Sequence, residues 1–238
     1  MARVGRPPQD PARQLERAHR ILDAATELIL RWGYDKTTID DVAKRAEVAK
    51  GTIYLHWKTR DDLFAALLRR ERVLMLTDVR DQKPATLSEL FGEFSRALFR
   101  RPLLRAVLSG DSEVLGKLTR RKRTRPTGLE LGAPFDTYVT ELAELGAVRD
   151  DPGDHITVIG SIVYGFLFLP DGRPEGVRPS EDRIADLVAD TIERTLGAGR
   201  PPSDADAVAR ATLTFLDATV EVARQRLADS LGSKERVQ

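Results

Sequence analysis

The sequence predicts an all-α protein of about nine or ten helices, with an N-terminal helix-turn-helix three-helix domain and a larger C-terminal helical domain. Apolar residues recur with the period of an α-helix along most of the 238 residues. Glycine and proline interrupt that period at intervals, and no run between them alternates like a strand. A chain with this pattern buries its apolar faces by packing helix on helix.

The first three helices are marked by periodicity and by a capping residue. Apolar side chains recur from about residue 12 to Gly33, which predicts a first helix. Thr38 stands at a helix start with Asp41 three residues later, so a second helix is predicted over 38–46. A third is predicted over 50–57. Two short helices joined by a three-residue turn make a helix-turn-helix candidate.

The remaining chain also reads as helical. Thr59, followed by Asp61 and Asp62, predicts the start of a long fourth helix. Further helices are expected over 154–169, 180–196 and 203–231, separated by segments rich in glycine and proline. We therefore divide the chain into a basic arm (1–12), a helix-turn-helix domain (13–72) and a C-terminal domain (73–238).

The composition excludes several classes of protein. Without cysteine there is no disulfide, thiolate metal site or cysteine nucleophile, and His19, His56 and His155 lack metal-motif spacing. We expect no metal, no cofactor and no enzymatic activity. No apolar run reaches the roughly 20 residues of a membrane span, so a cytoplasmic protein without membrane contact is expected.

The net charge of +1 argues at first against a nucleic-acid partner, but the charge is unevenly distributed. Residues 1–72 carry 15 Lys or Arg and 11 Asp or Glu, a net of +4. The remaining residues carry a net of −3. This polarity suits a protein that presents one end to DNA.

The side chains of the helix-turn-helix candidate suit double-stranded DNA. Lys50, Gly51 and Thr52 occupy the first turn of its second helix, the end that enters the major groove in this motif. Lysine can donate to guanine, threonine can bond or offer its methyl group to thymine, and glycine lets the backbone approach. Four further residues are phosphate-contact candidates: Thr38 at a helix start, Tyr54, His56 and Lys58.

Residues 13–72 resemble the DNA-binding domain of the TetR family of bacterial transcriptional repressors. The matching stretches are ILDAA at 21–25, GYDKTTI at 33–39, VA at 42–43 and KGTIYLHWK at 50–58. The resemblance implies that Thr38, Tyr54 and Lys58 hold phosphates while Lys50, Gly51 and Thr52 face bases. The family commonly has Ser or Thr where Ala49 stands, and an alanine N-cap costs a helix about 1 kcal/mol.

The N-terminal arm has two interpretations. Arg3 and Arg6, the latter between Gly5 and Pro7, resemble segments that enter AT-rich minor grooves. The alternative is a solvated tail, because chain termini are often disordered.

The C-terminal domain offers candidates for a ligand pocket, although an ordinary core is the alternative for each residue. They fall on three predicted helices: Phe94, Leu98, Phe135, Tyr138, Tyr164 and Phe168. The family implies a homodimer formed through helices 154–169 and 180–196, where Gly160 and Ser161 allow close approach. Tyr164 and Phe168 cannot all face both the partner subunit and the ligand pocket, so these two assignments compete.

The leading hypothesis is a homodimeric transcriptional repressor that binds operator DNA and leaves it when a small molecule binds. One alternative is a small-molecule sensing protein with a secondary DNA role. The other, an enzyme on an all-α scaffold, lacks the motifs of a catalytic site.

Overall fold

The structure is a computed structural model that describes residues 10–116, 132–149, 154–168 and 179–231. The all-α prediction is confirmed within these ranges, where the one extended pairing is an isolated bridge between Val148 and Gly197. The described helices are α1 (Pro11–Trp32), α2 (Ile39–Arg45), α3 (Lys50–His56), α4 (Arg60–Asp81), α5 (Leu87–Phe99), α6 (Pro102–Ser109), α7 (Ser112–Leu115), α8 (Gly132–Glu144), α9 (His155–Phe168), α10 (Glu181–Leu196) and α11 (Ala205–Leu231).

These eleven helices within the described ranges exceed the nine or ten expected, and α7 accounts for part of the difference. Gly110, at φ 69°, ends α6 in the left-handed conformation. The Asp111 carboxylate then accepts from the backbone N–H groups of Glu113 and Val114 at 2.8 and 3.3 Å and starts α7. A helix of four residues is too short to show a period in the sequence.

The caps predicted for α2 and α4 are confirmed. Thr38 and Thr59 each form a capping box with the aspartate three residues later, Asp41 and Asp62. The last helix begins two residues after Ser203, because the Asp204 carboxylate accepts from the Ala207 N–H at 2.8 Å. Ser203 instead donates its hydroxyl to the Leu145 carbonyl at 3.0 Å.

Two apolar cores divide the molecule. The N-terminal core is formed by α1, α2, α3 and the first half of α4, and residues from later in the chain complete it: Leu103, Leu115 and the partly buried Leu231. The C-terminal core joins the end of α4 to α5, α8, α9, α10 and α11. Helix α4 therefore contributes to both cores and connects them.

Buried charges fix α1 against α4 at this junction. Arg70, on α4, donates to the Asp23 carboxylate at 2.7 Å and to the His19 carbonyl at 3.1 Å. Glu71 beside it accepts from Arg101 at 3.4 Å. Because a buried charge without its partner is costly, the Arg70 contacts hold α1 in one orientation relative to α4, and the Glu71–Arg101 pair fixes the segment before α6 to the same helix.

Candidate nucleic-acid interface

The start of α2 is held in place by a cluster of contacts around Tyr34. The Arg60 guanidinium lies 4.1 Å from the centre of the Tyr34 ring and donates to the Thr37 carbonyl at 3.0 Å. The Tyr34 hydroxyl donates to Asp61, and the buried Thr37 hydroxyl donates to the Gly33 carbonyl at 2.9 Å. These contacts attach the α1–α2 loop to α4 and so position Thr38.

Thr38 lies exposed at the N-terminus of α2, as the sequence predicts. Its hydroxyl donates to the Asp41 carboxylate at 2.6 Å and accepts from the Asp41 N–H at 3.2 Å. The hydrogen bonds that the Thr38 hydroxyl and the Thr38 backbone N–H donate to the Asp41 carboxylate lower the pKa of Asp41. The threonine is therefore oriented in advance, but a phosphate that accepts its proton must take the place of the Asp41 carboxylate.

Helix α3 presents one face to the core and the opposite face to solvent. Ile53 is fully buried, while Leu55, about half a turn away, is 69% exposed. Gly51 shares the outward face, and no atom of the described residues lies within 4 Å of the position a Cβ would occupy there. Among the described residues, the outward face of α3 is therefore open at Gly51 and at Leu55.

Lys50 flanks this open face and is already paired. Its ammonium donates to the Asp40 carboxylate on α2 at 2.7 Å, and both side chains are about half exposed or more. The hydrogen bond with Asp40 raises the pKa of Lys50. This ion pair holds the first turn of α3 beside α2 and keeps the lysine charged.

The remaining candidates extend along and beyond α3. Tyr54 is 46% exposed, and Lys58 is exposed in the segment that leads into α4. His56 is half-buried against the Trp57 ring, with a centroid separation of 5.2 Å. Burial lowers the pKa of His56, and the charge of Arg17 lowers it further.

His19 and His56 predict that the folded state loses stability as the pH falls below neutrality. Burial and then Arg70 lower the pKa of His19, as burial and Arg17 do for His56. Because the pKa of each histidine is below 6.5 in the folded state, the unfolded chain binds protons more readily than the folded chain. The contribution of the two neutral histidines to the free energy of unfolding is therefore complete above pH 6.5, and it is lost as the pH falls through the folded-state pKa values. We expect the melting temperature to fall between about pH 7.5 and 5.5.

The matched variant carries glutamine at both positions, His19→Gln and His56→Gln. Its melting temperature, measured by circular dichroism, should change less over the same interval. Asp41 and Glu27 also have lowered pKa values, but they titrate below their ordinary values of 3.8 and 4.5, outside this interval. An unchanged slope in the double variant would contradict the assignment.

The start of α3 lacks a side-chain cap, as Ala49 predicts. Ala49 occupies the N-cap position and makes no side-chain hydrogen bond. The backbone N–H of Thr52 instead donates to the Ala49 carbonyl at 2.8 Å. The first turn of α3 is thus held by the backbone, by Ile53 and by the Lys50 ion pair.

Most of the predicted DNA contacts lie within the helix-turn-helix or directly after it. Seven lie on α3, next to it or at the start of α2: Thr38, Lys50, Gly51, Thr52, Tyr54, His56 and Lys58. Arg3 and Arg6, together with most of the proposed arm, lie outside the described residues. Sequence reasoning missed Asp40 and Leu55, since neither the ion pair nor the exposure of a leucine has a sequence signal.

The ligand-pocket candidates separate into two groups. Four belong to the buried C-terminal core: Phe94, Leu98, Phe135 and Tyr138. The Tyr138 ring stacks on Phe215 at 4.7 Å, and its hydroxyl lies 2.9 Å from the Thr212 hydroxyl. Tyr164, by contrast, is 53% exposed on α9 and contacts the partly buried Phe168 at 4.9 Å.

The outward face of α9 carries no Asp, Glu, Lys or Arg side chain. Thr157, Ser161 and Tyr164 are exposed along it, and a Cβ added at Gly160 would have no neighbour within 4 Å among the described residues. Helix α10 packs its apolar face on α5 and turns charged residues outward. Tyr164 therefore faces away from the buried aromatic residues.

The described part of the chain offers neither a cluster of metal ligands nor a membrane-spanning helix. It contains no group of three or more His, Cys, Asp or Glu side chains placed to hold a metal ion. None of its helices is long and apolar enough to cross a membrane.

The chain matches known proteins in its N-terminal region. Residues 21–67 match the family model described as bacterial regulatory proteins, tetR family. Over 116 residues the chain is 34% identical to the HTH-type transcriptional repressor KstR of Mycolicibacterium smegmatis, and the alignment covers 44% of this chain and 57% of that repressor. The match thus spans little more than half the length of this relative.

Two solved structures share the fold more widely. One, assigned to the TetR family of transcriptional regulators, is from Mesorhizobium loti MAFF303099; it has a TM-score of 0.54 at 18% identity and covers 78% of this chain and 98% of that chain. The other, the transcriptional regulator SCO4942 from Streptomyces coelicolor, has a TM-score of 0.52 at 22% identity, covering 77% of this chain and 98% of that chain. These similarities concern the fold alone.

Proposed function

We propose that the chain, whose residues 21–67 match the model of the tetR family of bacterial regulatory proteins, is a DNA-binding transcriptional repressor released from its operator by a small molecule. The DNA-binding domain comprises residues 13–72, and residues 73–238 bind the effector and a second copy of the chain. The observation that carries the proposal is the open face of α3, called the reading helix from here on.

The reading helix has the features that a major groove requires. Its outward face has no side chain at Gly51, and a lysine and a tyrosine lie along one flank. Lys50 exchanges the Asp40 carboxylate for a guanine edge, and Leu55 lies where it can contact a thymine methyl group. Thr38, Tyr54, His56 and Lys58 contact phosphates on either side of the groove.

Gly51→Ala should change stability and operator affinity in opposite directions. An added methyl group meets no atom of the described residues within 4 Å, and φ at this position is not positive. Alanine is the better helix former, so the free energy of unfolding should rise by about 0.5–1 kcal/mol. Operator affinity should nevertheless fall several-fold, because the methyl group occupies space that the DNA needs. Urea unfolding and fluorescence anisotropy measure the two effects, and a variant that gains stability and keeps full affinity would remove Gly51 from the interface.

The proposed dimer forms through residues 154–169 and 180–196. The exposed Tyr164 and the open position at Gly160 support this surface, because a second helix can approach closely there. Two reading helices related by a two-fold axis then meet two half-sites of a palindromic operator. The effector releases the DNA only if it binds more tightly to the arrangement that does not fit the operator.

The proposal is tested by selecting duplexes from a random library with the purified chain. A palindromic consensus should emerge, and affinity for it should fall steeply with salt as phosphate contacts release counterions. Sedimentation velocity should give a dimer before DNA is added. Enrichment of no sequence, with weak binding to every duplex, would overturn the repressor assignment and favour a sensing protein with a secondary DNA role.

A further inference from the structure

Trp57 lies at the point where the reading helix ends. Its backbone N–H donates to the Ile53 carbonyl at 2.9 Å and closes the last turn of α3. The side chain is only 3% exposed. A buried indole N–H has one proton to donate and no ability to accept, so it needs an acceptor in the protein.

That acceptor comes from the far end of the chain. The Trp57 Nε1–H donates to the Ser230 carbonyl at 3.1 Å, across 173 residues of sequence. Ser230 lies in the last turn of α11, where carbonyl groups have no partner within the helix. The indole and the helix end therefore satisfy each other.

The contact extends beyond one hydrogen bond. Leu227 is buried, and Leu231 packs against the N-terminal core that also contains Ile53 and Trp57. Nearer the middle of α11, Asp217 accepts from Arg80 at 2.8 Å, close to the end of α4. Helix α11 thus runs antiparallel to α4, from the C-terminal core to the reading helix.

The other half of α11 carries part of the buried aromatic cluster. Phe215 stacks on Tyr138 at 4.7 Å and meets Phe135 at 5.8 Å, and Thr212 bonds to Tyr138. The 27 residues of α11 span about 40 Å as a continuous helix. One rigid element therefore contacts both the aromatic cluster and the end of the reading helix.

We propose that residues 227–231, which we call the C-terminal clasp, position the reading helix for DNA binding by holding Trp57. The clasp acts through Trp57 and touches no DNA itself, and its effect on DNA rests on the function proposed above. A displacement of α11 at Phe215 would shift the clasp as well, because no break interrupts the helix between them.

The test compares two truncations of the chain. One ends after Arg226 and removes the clasp; its control ends after Leu231 and removes only residues 232–238. Both carry Trp32→Phe, so that Trp57 is the one tryptophan left. We expect the emission of Trp57 to shift to longer wavelength in the shorter chain, since the indole loses its acceptor and meets water. The control should emit like the full-length chain that carries the same Trp32→Phe substitution.

The DNA measurement uses the duplex selected with the intact chain and a scrambled duplex of equal length. Loss of the clasp should weaken binding to the selected duplex by about tenfold or more, with little change on the scrambled one. A misplaced reading helix loses base contacts but keeps its charge. Partial unfolding would instead lower both affinities by the same factor.

A full-length variant keeps the test valid if the shorter chain does not fold. Trp57→Phe retains an aromatic ring and removes the donor, and it should weaken binding to the selected duplex by about fivefold. Equal losses on both duplexes, or unchanged affinity in both the truncation and Trp57→Phe, would overturn the proposal. If the intact chain selects no duplex, the repressor assignment fails, whereas the emission shift still decides whether the clasp holds Trp57.

Discussion

Replacing Lys50 by alanine is expected to weaken binding to the selected operator by about tenfold or more. The ammonium stands at the start of the reading helix, beside a face that is open at Gly51 among the described residues, and it is held there by Asp40 at 2.7 Å. A lysine that donates to a guanine edge contributes to discrimination between bases as well as to affinity. The variant should therefore also tolerate base changes at one position of each half-site.

The matched control is Lys83→Ala, which removes the same charge from the exposed segment between α4 and α5. It should leave the selected sequence and the affinity nearly unchanged, because long-range attraction contributes little at physiological salt. Fluorescence anisotropy on the consensus duplex and on its single-base variants measures both. Equal effects of the two substitutions would mean that Lys50 contributes only net charge.

Because Lys50 is paired with Asp40, Lys50→Ala should weaken DNA binding less than the loss of an unpaired lysine would. DNA binding must break the existing ion pair, so part of the new contact replaces an old one. Asp40→Asn should consequently bind the selected duplex more tightly than the unmodified chain, because the lysine is freed and a carboxylate near phosphate is removed.

The N-terminal helices were predictable because their signals are local. Thr38 and Thr59 each precede an aspartate by three residues, and each forms the capping box that this spacing predicts. The apolar period of α1 and the turn before Lys50 likewise depend on neighbouring residues alone. The α-helical class follows from the same signals, whereas α7 is too short to produce a period.

Contacts between distant residues could not be predicted in this way. Nothing near Trp57 in sequence indicates that its acceptor is Ser230, and nothing near Lys50 identifies Asp40 among several nearby carboxylates. The exposure of Leu55 depends on how α3 packs, which a seven-residue helix does not encode alone. Burial and pairing are set by tertiary packing. The residue types of the site could therefore be predicted from the sequence, but their hydrogen-bond and ion-pair partners could not.

One substitution can decide whether the aromatic residues of the C-terminal core line a ligand pocket or fill an ordinary core. Sequence alone left Phe135 and Tyr138 as either pocket lining or ordinary core. Phe135 is 1% exposed and meets Phe91 at 6.1 Å and Phe215 at 5.8 Å. Rings at these distances are in contact, so the cluster is packed in the form that the structure describes.

We therefore expect Phe135→Ala to lower the free energy of unfolding by about 3–5 kcal/mol, the range for a fully buried phenylalanine. Urea unfolding followed by circular dichroism measures the loss. The control Tyr164→Ala, on the exposed face of α9, should cost far less, although it is expected to weaken the dimer. Both variants are compared at one protein concentration above the dimer dissociation constant, so that lost assembly is not counted as lost packing.

The size of the loss distinguishes core from pocket. Truncating a ring that already borders an open cavity creates little new cavity volume. A loss of less than about 1 kcal/mol in the free energy of unfolding would therefore place Phe135 at a preformed pocket. A full loss predicts a new apolar cavity between Phe91 and Phe215, and benzene should then raise the melting temperature of the variant but not of the parent chain. In that case an effector can enter the cluster only by displacing these rings, and Phe215, on α11, connects their displacement to the helix that ends at Trp57.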